Sequence, residues 1–159
     1  MKAKKTIIKY RFILLLIIIF GFLLRIFGLK WDQGQHLHPD ERFLSMVITD
    51  IKIPQTLSEY LNPKTSSLNP YNNGYDFFVY GSFPVNLTKI ISQFLNSSDY
   101  DYAYLVGRYL TIILDSLVIV LIFLITTKIA KPKIALIAAF LYSICVLPIQ
   151  ISHFFTVDP

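Results

Sequence analysis

Cysteine is almost absent from this chain, since Cys145 is the only one among 159 residues. A single thiol excludes an intrachain disulfide framework and a thiolate-ligated metal centre. Cys145 lies inside an apolar run, where its simplest role is that of a small packing residue. Neither a disulfide scaffold nor a cysteine metal site is therefore expected.

Charge is scarce in three long apolar runs, at 12–29, 109–127 and 134–151. Each run is close to the length of a helix that crosses the hydrocarbon core of a bilayer. A chain of 159 residues with 54% hydrophobic side chains cannot wrap three such runs in a water-facing shell. We therefore predict an all-α integral membrane fold with three transmembrane helices, at 12–29, 105–127 and 134–151.

Acids are missing from the N-terminal segment 1–11 and from the short link 128–133, which together hold eight cations. The long loop 30–104 has the opposite balance, with five cations against eight acids. The positive-inside rule places both basic segments in the cytoplasm and the loop outside. We expect a multi-pass protein of the cell membrane, in contact with membrane lipids, with a cytoplasmic N-terminus. The formal charge of +5 then reflects topology, and nucleic-acid binding is not expected.

The outer loop contains two helical patterns. Pro39 fits the first turn of a helix with His38 as its cap, and Pro84 permits a second helix start. Apolar residues follow each proline at helical spacing: Phe43, Leu44, Val47, Ile48 and Ile51 in the first pattern, and Val85, Leu87, Ile90, Ile91, Phe94 and Leu95 in the second. We predict two amphipathic helices that lie along the membrane interface, separated by irregular chain over 54–74.

Titratable side chains are concentrated between Trp31 and Phe43, directly after the first predicted span. His36, His38 and Asp40 alternate, so an extended strand would place all three on one side, where they would bind a divalent metal ion. Alternatively, Asp40 is a general base in a water-poor cleft, and Glu41 keeps its basicity up. A third interpretation is a solvated helix start whose acids only interact with the helix dipole.

Three charged residues, Arg25, Arg108 and Asp115, lie within or near the ends of predicted spans. An ionised side chain in hydrocarbon costs at least about 2.5 kcal/mol, so their presence needs a reason. Snorkelling of the arginines and an interhelical hydrogen bond from Asp115 would be a structural reason. The functional reason would be a cationic cluster for a lipid-linked phosphate, which arginine binds with its planar fork.

A second acidic segment, 152–159, follows the third predicted span. It contains His153 and Asp158, which the predicted topology places on the same side of the membrane as Asp40 and Glu41. Two segments with acid and histidine side chains on one side predict a shared site.

Four motifs follow one another in a recognisable order. They are Asp40-Glu41 in the first outer loop, Tyr80-Gly81-Ser82-Phe83-Pro84, Gly107-Arg108 at the start of the second span, and Ser152-His153-Phe154-Phe155-Thr156-Val157-Asp158 after the third. From Phe12 onward this arrangement resembles the N-terminal part of bacterial glycosyltransferase family 39 proteins. That family belongs to the glycosyltransferase C superfamily and is related to protein O-mannosyltransferases and lipid A aminoarabinose transferases.

The resemblance implies an enzyme that transfers a sugar from a polyprenyl-phosphate donor to a lipid, glycan or protein acceptor on the outer face. It implies that Asp40 orients or deprotonates the acceptor, that Glu41 supports it and that Asp158 is a second catalytic acid. Substrate contacts are expected from Arg108, Arg25, His153 and Tyr80. Relatives have more membrane spans, so we expect this chain to be an N-terminal portion that is inactive alone.

Two other classes of protein fit a polytopic chain. A transporter segment would place its charges near the bilayer midplane, around broken helices. A membrane assembly subunit needs no chemistry and would tolerate Asp40→Asn and Asp158→Asn.

Overall fold

The computed structural model describes the backbone of residues 2–156 and the side chains of residues 8–156. This part of the chain contains helices and no strand, which confirms the all-α prediction for the described residues. The α-helices are α1 Lys2–Ile26, α2 Pro39–Asp50, α3 Leu57–Leu61, α4 Ser82–Phe94, α5 Tyr100–Ile129, α6 Pro132–Ser143 and α7 Val146–Ile151, with a 3₁₀ helix at Pro70–Asn73.

The described residues divide into two compact units. The first comprises the chain up to Leu29 together with Thr111–His153, and the second comprises Lys30–Leu110 together with the chain from Phe154. In the first unit α1 packs against α6 and α7, around a core of Ile17, Ile119, Leu136 and Ala139. Large apolar side chains remain exposed on its helices, among them Phe12, Leu15, Leu23, Leu117, Ile125, Phe140 and Leu147.

One helix of the described residues, α5, is long and apolar enough to cross a membrane, judged by length and composition. It contains the whole of the second predicted span, 105–127. The first predicted span ends earlier than expected, because α1 stops at Ile26. Gly28 follows with a φ of +78°, a left-handed conformation that glycine adopts without a steric penalty and that commonly ends a helix.

The third predicted span is broken. α6 ends at Ser143 and α7 begins at Val146, so the prediction of one uninterrupted helix over 134–151 was wrong. Pro148 gives the physical reason, since it has no N–H to donate to the carbonyl of Ile144 and its ring would clash with that carbonyl in an α-helix.

The second unit is built on α2 and α4, which pack against each other. Both predicted loop helices are present, α2 beginning at Pro39 and α4 at Ser82, two residues before Pro84. The apolar stripe of α2 is part of the core of this unit, which consists of Leu44, Val47, Ile48, Ile51, Leu68, Phe78, Val85, Ala103 and Phe155. Contrary to our expectation, α2 therefore presents this stripe to protein and not to lipid.

The segment 54–74 is more ordered than its composition predicts. It contains α3 and the 3₁₀ helix, and polar side chains hold it in place. The hydroxyl of Thr56 accepts a hydrogen bond from the N–H of Glu59 at 3.1 Å, and the Glu59 carboxylate accepts one from Ser67 at 2.8 Å. The side-chain amides of Asn72 and Asn73 donate to backbone carbonyls, which supplies the hydrogen bonds that a sheet or long helix would otherwise provide.

Candidate functional site

Asp40 and Glu41 lie in the first turn of α2, in the second unit, and have different surroundings. Successive residues of an α-helix point about 100° apart, so two neighbouring acids cannot share one environment. Glu41 is fully buried, whereas Asp40 is partly exposed. The two carboxylates that the sequence presents as a pair are therefore separate chemical groups in the structure.

Glu41 belongs to a buried charge cluster with Arg108 and Asp32. The Arg108 guanidinium donates from Nε to Glu41 Oε1 at 2.7 Å and from Nη2 to Glu41 Oε2 at 2.5 Å. It also donates from Nη1 and Nη2 to the two carboxylate oxygens of Asp32, at 3.1 and 2.9 Å. All three side chains have no exposed surface. Two carboxylates share one guanidinium in this cluster.

The pKa of Asp32 reflects this pairing. Burial alone raises the pKa of the Asp32 carboxyl, but the hydrogen bonds and the positive charge of Arg108 outweigh it, and the pKa lies below its ordinary value. Asp32 is therefore a carboxylate at neutral pH and pairs there with Arg108.

Aromatic rings and a backbone amide complete the cluster. The guanidinium of Arg108 lies 4.7 Å from the ring centroid of Tyr104 and 5.6 Å from that of Trp31, within the range of cation–π attraction. The N–H of Phe155 donates to Glu41 Oε1 at 2.9 Å. Glu41 thus joins the start of α2, the start of α5 and the chain near Phe155.

Asp40 is held by a hydrogen bond from Tyr80. The hydroxyl of Tyr80 donates to Asp40 Oδ1 at 2.9 Å. The ring of Tyr80 is packed against Phe43 and Phe78, with centroids 5.6 and 6.0 Å away. Tyr80 is therefore held in place by packing, and it fixes one carboxylate oxygen of a partly exposed acid, which can accept a proton from a bound hydroxyl or amine through the other.

The two histidines of the same segment are placed differently. His36 is buried, with its ring stacked at 4.2 Å on Tyr100 and edge-on at 4.6 Å to Tyr104. The ring of His38 lies 4.7 Å from that of Phe154. The extended alternation that would align His36, His38 and Asp40 is lost, because the helix begins at Pro39.

No three His, Cys, Asp or Glu side chains among the described residues form a group that could hold a metal ion. Metal binding by His36 and His38 stays a prediction.

Arg25 lies in the first unit and is also fully buried. Its Nε pairs with the Asp115 carboxylate, and its Nη1 donates to the carbonyl oxygens of Gly21 and Ser143, both at 3.0 Å. The hydroxyl of Tyr142 donates to the same Asp115 carboxylate. Ser143 is the last residue of α6, so Arg25 satisfies a carbonyl that the helix break leaves without its usual N–H donor.

His153 also lies in the first unit. Its Nε2 is 2.7 Å from the carbonyl oxygen of Phe27, and its Nδ1 is 2.6 Å from that of Ile149. In this unit His153 contacts backbone at the ends of α1 and α7.

The structure thus sorts the predicted site residues into groups. The second unit brings Asp40 together with Tyr80, and Glu41 together with Arg108, while Arg25 and His153 belong to the first unit. Asp158 lies outside the described residues. The sequence analysis did not predict Asp32 as a partner of Arg108. Asp32 lies in the same short segment as Glu41, and an arginine that is buried needs such an acid to neutralise its charge.

The chain matches no protein-family model, and no curated protein or solved structure is significantly similar to it.

Proposed function

We propose that this protein is an integral membrane glycosyltransferase that moves a sugar from a polyprenyl-phosphate donor to an acceptor on the outer face of the membrane. The observation that supports this most is the Asp40–Tyr80 pair, a partly exposed carboxylate held at 2.9 Å by a packed tyrosine. The order of sequence motifs, which resembles glycosyltransferase family 39, supplies the reaction class.

In this proposal Asp40 is the catalytic base. Its carboxylate takes the proton of the acceptor hydroxyl or amine as the acceptor oxygen or nitrogen attacks the anomeric carbon of the donor sugar. The bond between that carbon and the phosphate oxygen breaks, and the electron pair leaves with the polyprenyl phosphate. Tyr80 keeps Asp40 Oδ1 occupied, so that Oδ2 faces the acceptor.

Glu41 is a positioning residue in this proposal. Its carboxylate is bonded to Arg108 and to the Phe155 amide, so it fixes the first turn of α2 and thereby the backbone of Asp40. Arg108 and Arg25, the arginines considered for the donor phosphate, are both buried and paired with carboxylates. Phosphate binding by either arginine would require exchange of a carboxylate for a phosphate oxygen, which favours structural roles for both.

We also propose three membrane passes, with the third formed by α6 and α7, a cytoplasmic N-terminus and an outer first loop. The exposed apolar side chains on α1, α5 and α6 support this topology, because such surfaces are stable in lipid and costly in water. The basic segments at 1–11 and 128–133 support the orientation.

The test is sugar transfer in native membranes after Asp40→Asn is introduced into the chromosomal gene. The substitution keeps size and hydrogen-bonding capacity but removes the base, so transfer from a radiolabelled polyprenyl-phosphate sugar should be lost at unchanged protein abundance. Asp76→Asn is the matched control, because Asp76 is exposed in the same unit. Full transfer by the Asp40→Asn protein would remove Asp40 from the chemistry.

A transporter segment is the second candidate, and one observation favours it. Transporters use broken helices with buried charges, and here the buried Arg25, paired with the partly exposed Asp115, lies at the α6–α7 break. A transporter would need Arg25 and Asp115 and be indifferent to Asp40 and Tyr80. Complementation of a gene deletion by Asp40→Asn but not by Asp115→Asn would favour transport, and complementation by both would indicate an assembly subunit.

A further inference from the structure

Three aromatic rings of the second unit form a group that has no role in the proposed chemistry. The ring of Phe154 contacts the other two, with its centroid 5.4 Å from that of Trp31 and 4.7 Å from that of His38. Trp31 is 43% exposed, and His38 and Phe154 are partly exposed. We call these three residues the Trp31 platform.

The ring of Trp31 is exposed but packed on two sides. The buried guanidinium of Arg108 lies over it, 5.6 Å from the ring centroid. Phe154 meets it edge-on, at an interplanar angle of 74°, and the next residue, Phe155, is part of the core of the unit. A large ring that is held in this way loses little conformational entropy when a ligand binds to its exposed surface.

His38 adds a polar atom that lacks a partner. Its Nδ1 is buried and has no hydrogen-bond partner among the described residues. A buried nitrogen in this state costs free energy, which a hydrogen bond with a ligand hydroxyl would recover. Aromatic surface next to an unpartnered polar atom suits a sugar, because a sugar ring has apolar C–H faces and a rim of hydroxyl groups.

The Trp31 platform lies next to the proposed catalytic base. Asp40 follows His38 by two residues, so their Cα atoms are at most about 7.6 Å apart. In the proposed reaction the acceptor atom lies about 3 Å from the Asp40 carboxylate, and the anomeric carbon lies about 3.5 Å from that atom. The donor sugar therefore has to bind within the distance at which the platform begins.

We propose that the Trp31 platform binds the sugar ring of the polyprenyl-phosphate donor, with the ring stacked on Trp31 and a sugar hydroxyl hydrogen-bonded to His38. This inference rests on the proposed function and deepens it, because it names the residues that hold the transferred sugar. A tryptophan that only contacts lipid at a membrane surface would also be exposed in the protein. Such a residue would not respond to the sugar, and this difference is what the test measures.

The test is hydroxyl-radical footprinting of the protein in lipid nanodiscs, purified from cells in which the chromosomal gene carries an affinity tag. Mass spectrometry reads the oxidation of Trp31, with Tyr60 as the internal control because it is 54% exposed in the same unit. Polyprenyl-phosphate esters of glucose, galactose and mannose are compared with sugar-free polyprenyl phosphate. At least one ester should reduce the oxidation of Trp31 several-fold, while the sugar-free lipid should not, and Tyr60 should be unaffected by either.

Transfer kinetics in native membranes separate donor binding from acceptor binding. Trp31→Leu, introduced into the chromosomal gene, should raise the KM for the donor about tenfold, which corresponds to about 1.4 kcal/mol of binding free energy. Trp31→Phe keeps a ring and should restore most of this affinity. Phe77→Leu is the matched control, because Phe77 is an exposed aromatic residue of the same unit. The KM for the acceptor should be the same in all three variants.

Three results would overturn the inference. They are protection of Trp31 that is equal with and without the sugar, protection by none of the three esters, and a rise in the KM for the acceptor alone. Sugar-dependent protection of Trp31 without transfer in native membranes would overturn the proposed function alone. Transfer from one of the esters without protection of Trp31 would overturn this inference alone.

Discussion

Arg25 in the first unit and Arg108 in the second are both completely buried, yet their charges are neutralised in different ways. Arg108 faces Asp32 and Glu41, whose side chains have no exposed surface. Arg25 faces the single carboxylate of Asp115, which is 18% exposed. One arginine is shared by two buried carboxylates, and the other is paired with one carboxylate at a partly open position.

The remaining contacts of Arg25 show what the difference means. Its Nη1 donates to backbone carbonyls of Gly21 and Ser143, and Ser143 ends α6 at the break. Arg25 thus stabilises a local interruption of a helix, whereas Arg108 joins separate segments of the second unit by charge. A buried arginine therefore does not by itself indicate a phosphate site, because the structural contacts of Arg25 and of Arg108 are sufficient to explain why each is buried.

The largest effect is expected for Arg108→Leu. This change leaves the Asp32 and Glu41 carboxylates buried without a cation, and breaking a buried pair in this way costs about 3–5 kcal/mol. Denaturant unfolding of the purified protein in detergent measures the loss. Arg42→Leu, at an exposed position of α2, is the control and should change stability by less than about 0.5 kcal/mol. Equal stability of the two variants would contradict the structural role of Arg108.

A smaller loss of stability is expected for Arg25→Leu. Asp115 keeps the hydroxyl of Tyr142 as a donor and is partly open to its surroundings, so the unpaired groups should cost about 1–3 kcal/mol. The same unfolding measurement applies, with exposed Arg11→Leu as the control. A loss as large as that of Arg108→Leu would remove the contrast between the two arginines.

Acid should destabilise the second unit through Asp32. Folding lowers the pKa of Asp32 below its ordinary value of 3.8. Its contribution to the free energy of unfolding is therefore fully present above pH 3.8 and is lost as the pH falls through the folded pKa. The stability of the wild type should fall by up to about 1.4 kcal/mol per pH unit in that range for this one proton. Thermal unfolding against pH should show a shallower acid decline for Asp32→Asn, and an unchanged decline would contradict the pairing.

The smallest loss of stability is expected for Tyr80→Phe. Removal of one partly buried hydrogen bond costs about 0.5–1.5 kcal/mol. Tyr71→Phe is a matched control, because the Tyr71 hydroxyl donates to the carbonyl of Phe78 at 2.9 Å in the same unit without contacting Asp40. If Tyr80→Phe is as stable as Tyr71→Phe but transfers less sugar, Tyr80 positions Asp40. Equal transfer by the two variants would refute this role.

Local signals predicted much of the helical structure. Pro39 and Pro84 mark the beginnings of α2 and α4, and the apolar run at 105–127 lies within α5. Pro148 also carried a local signal for the break after Ser143, but uniform hydrophobicity over 134–151 obscured it. The dihedral constraint of proline was a better guide there than hydropathy.

The sequence could not show which faces these helices bury. The stripe of α2 is buried and that of α4 is exposed, and the difference depends on Lys89 reaching a carbonyl that lies 41 residues away in sequence. The separate environments of Asp40 and Glu41 likewise depend on Arg108, 67 residues from Glu41. Such long-range contacts leave no trace in local periodicity.

The most direct test of this account is sugar transfer per folded molecule in native membranes, compared between Asp40→Asn and Glu41→Gln after each change is introduced into the chromosomal gene. If Asp40 carries the chemistry and Glu41 holds the structure, Asp40→Asn should give a normal amount of folded protein without transfer. Glu41→Gln should give less folded protein, with transfer retained in each folded molecule. Loss of transfer in folded Glu41→Gln protein together with full transfer by Asp40→Asn would contradict the account.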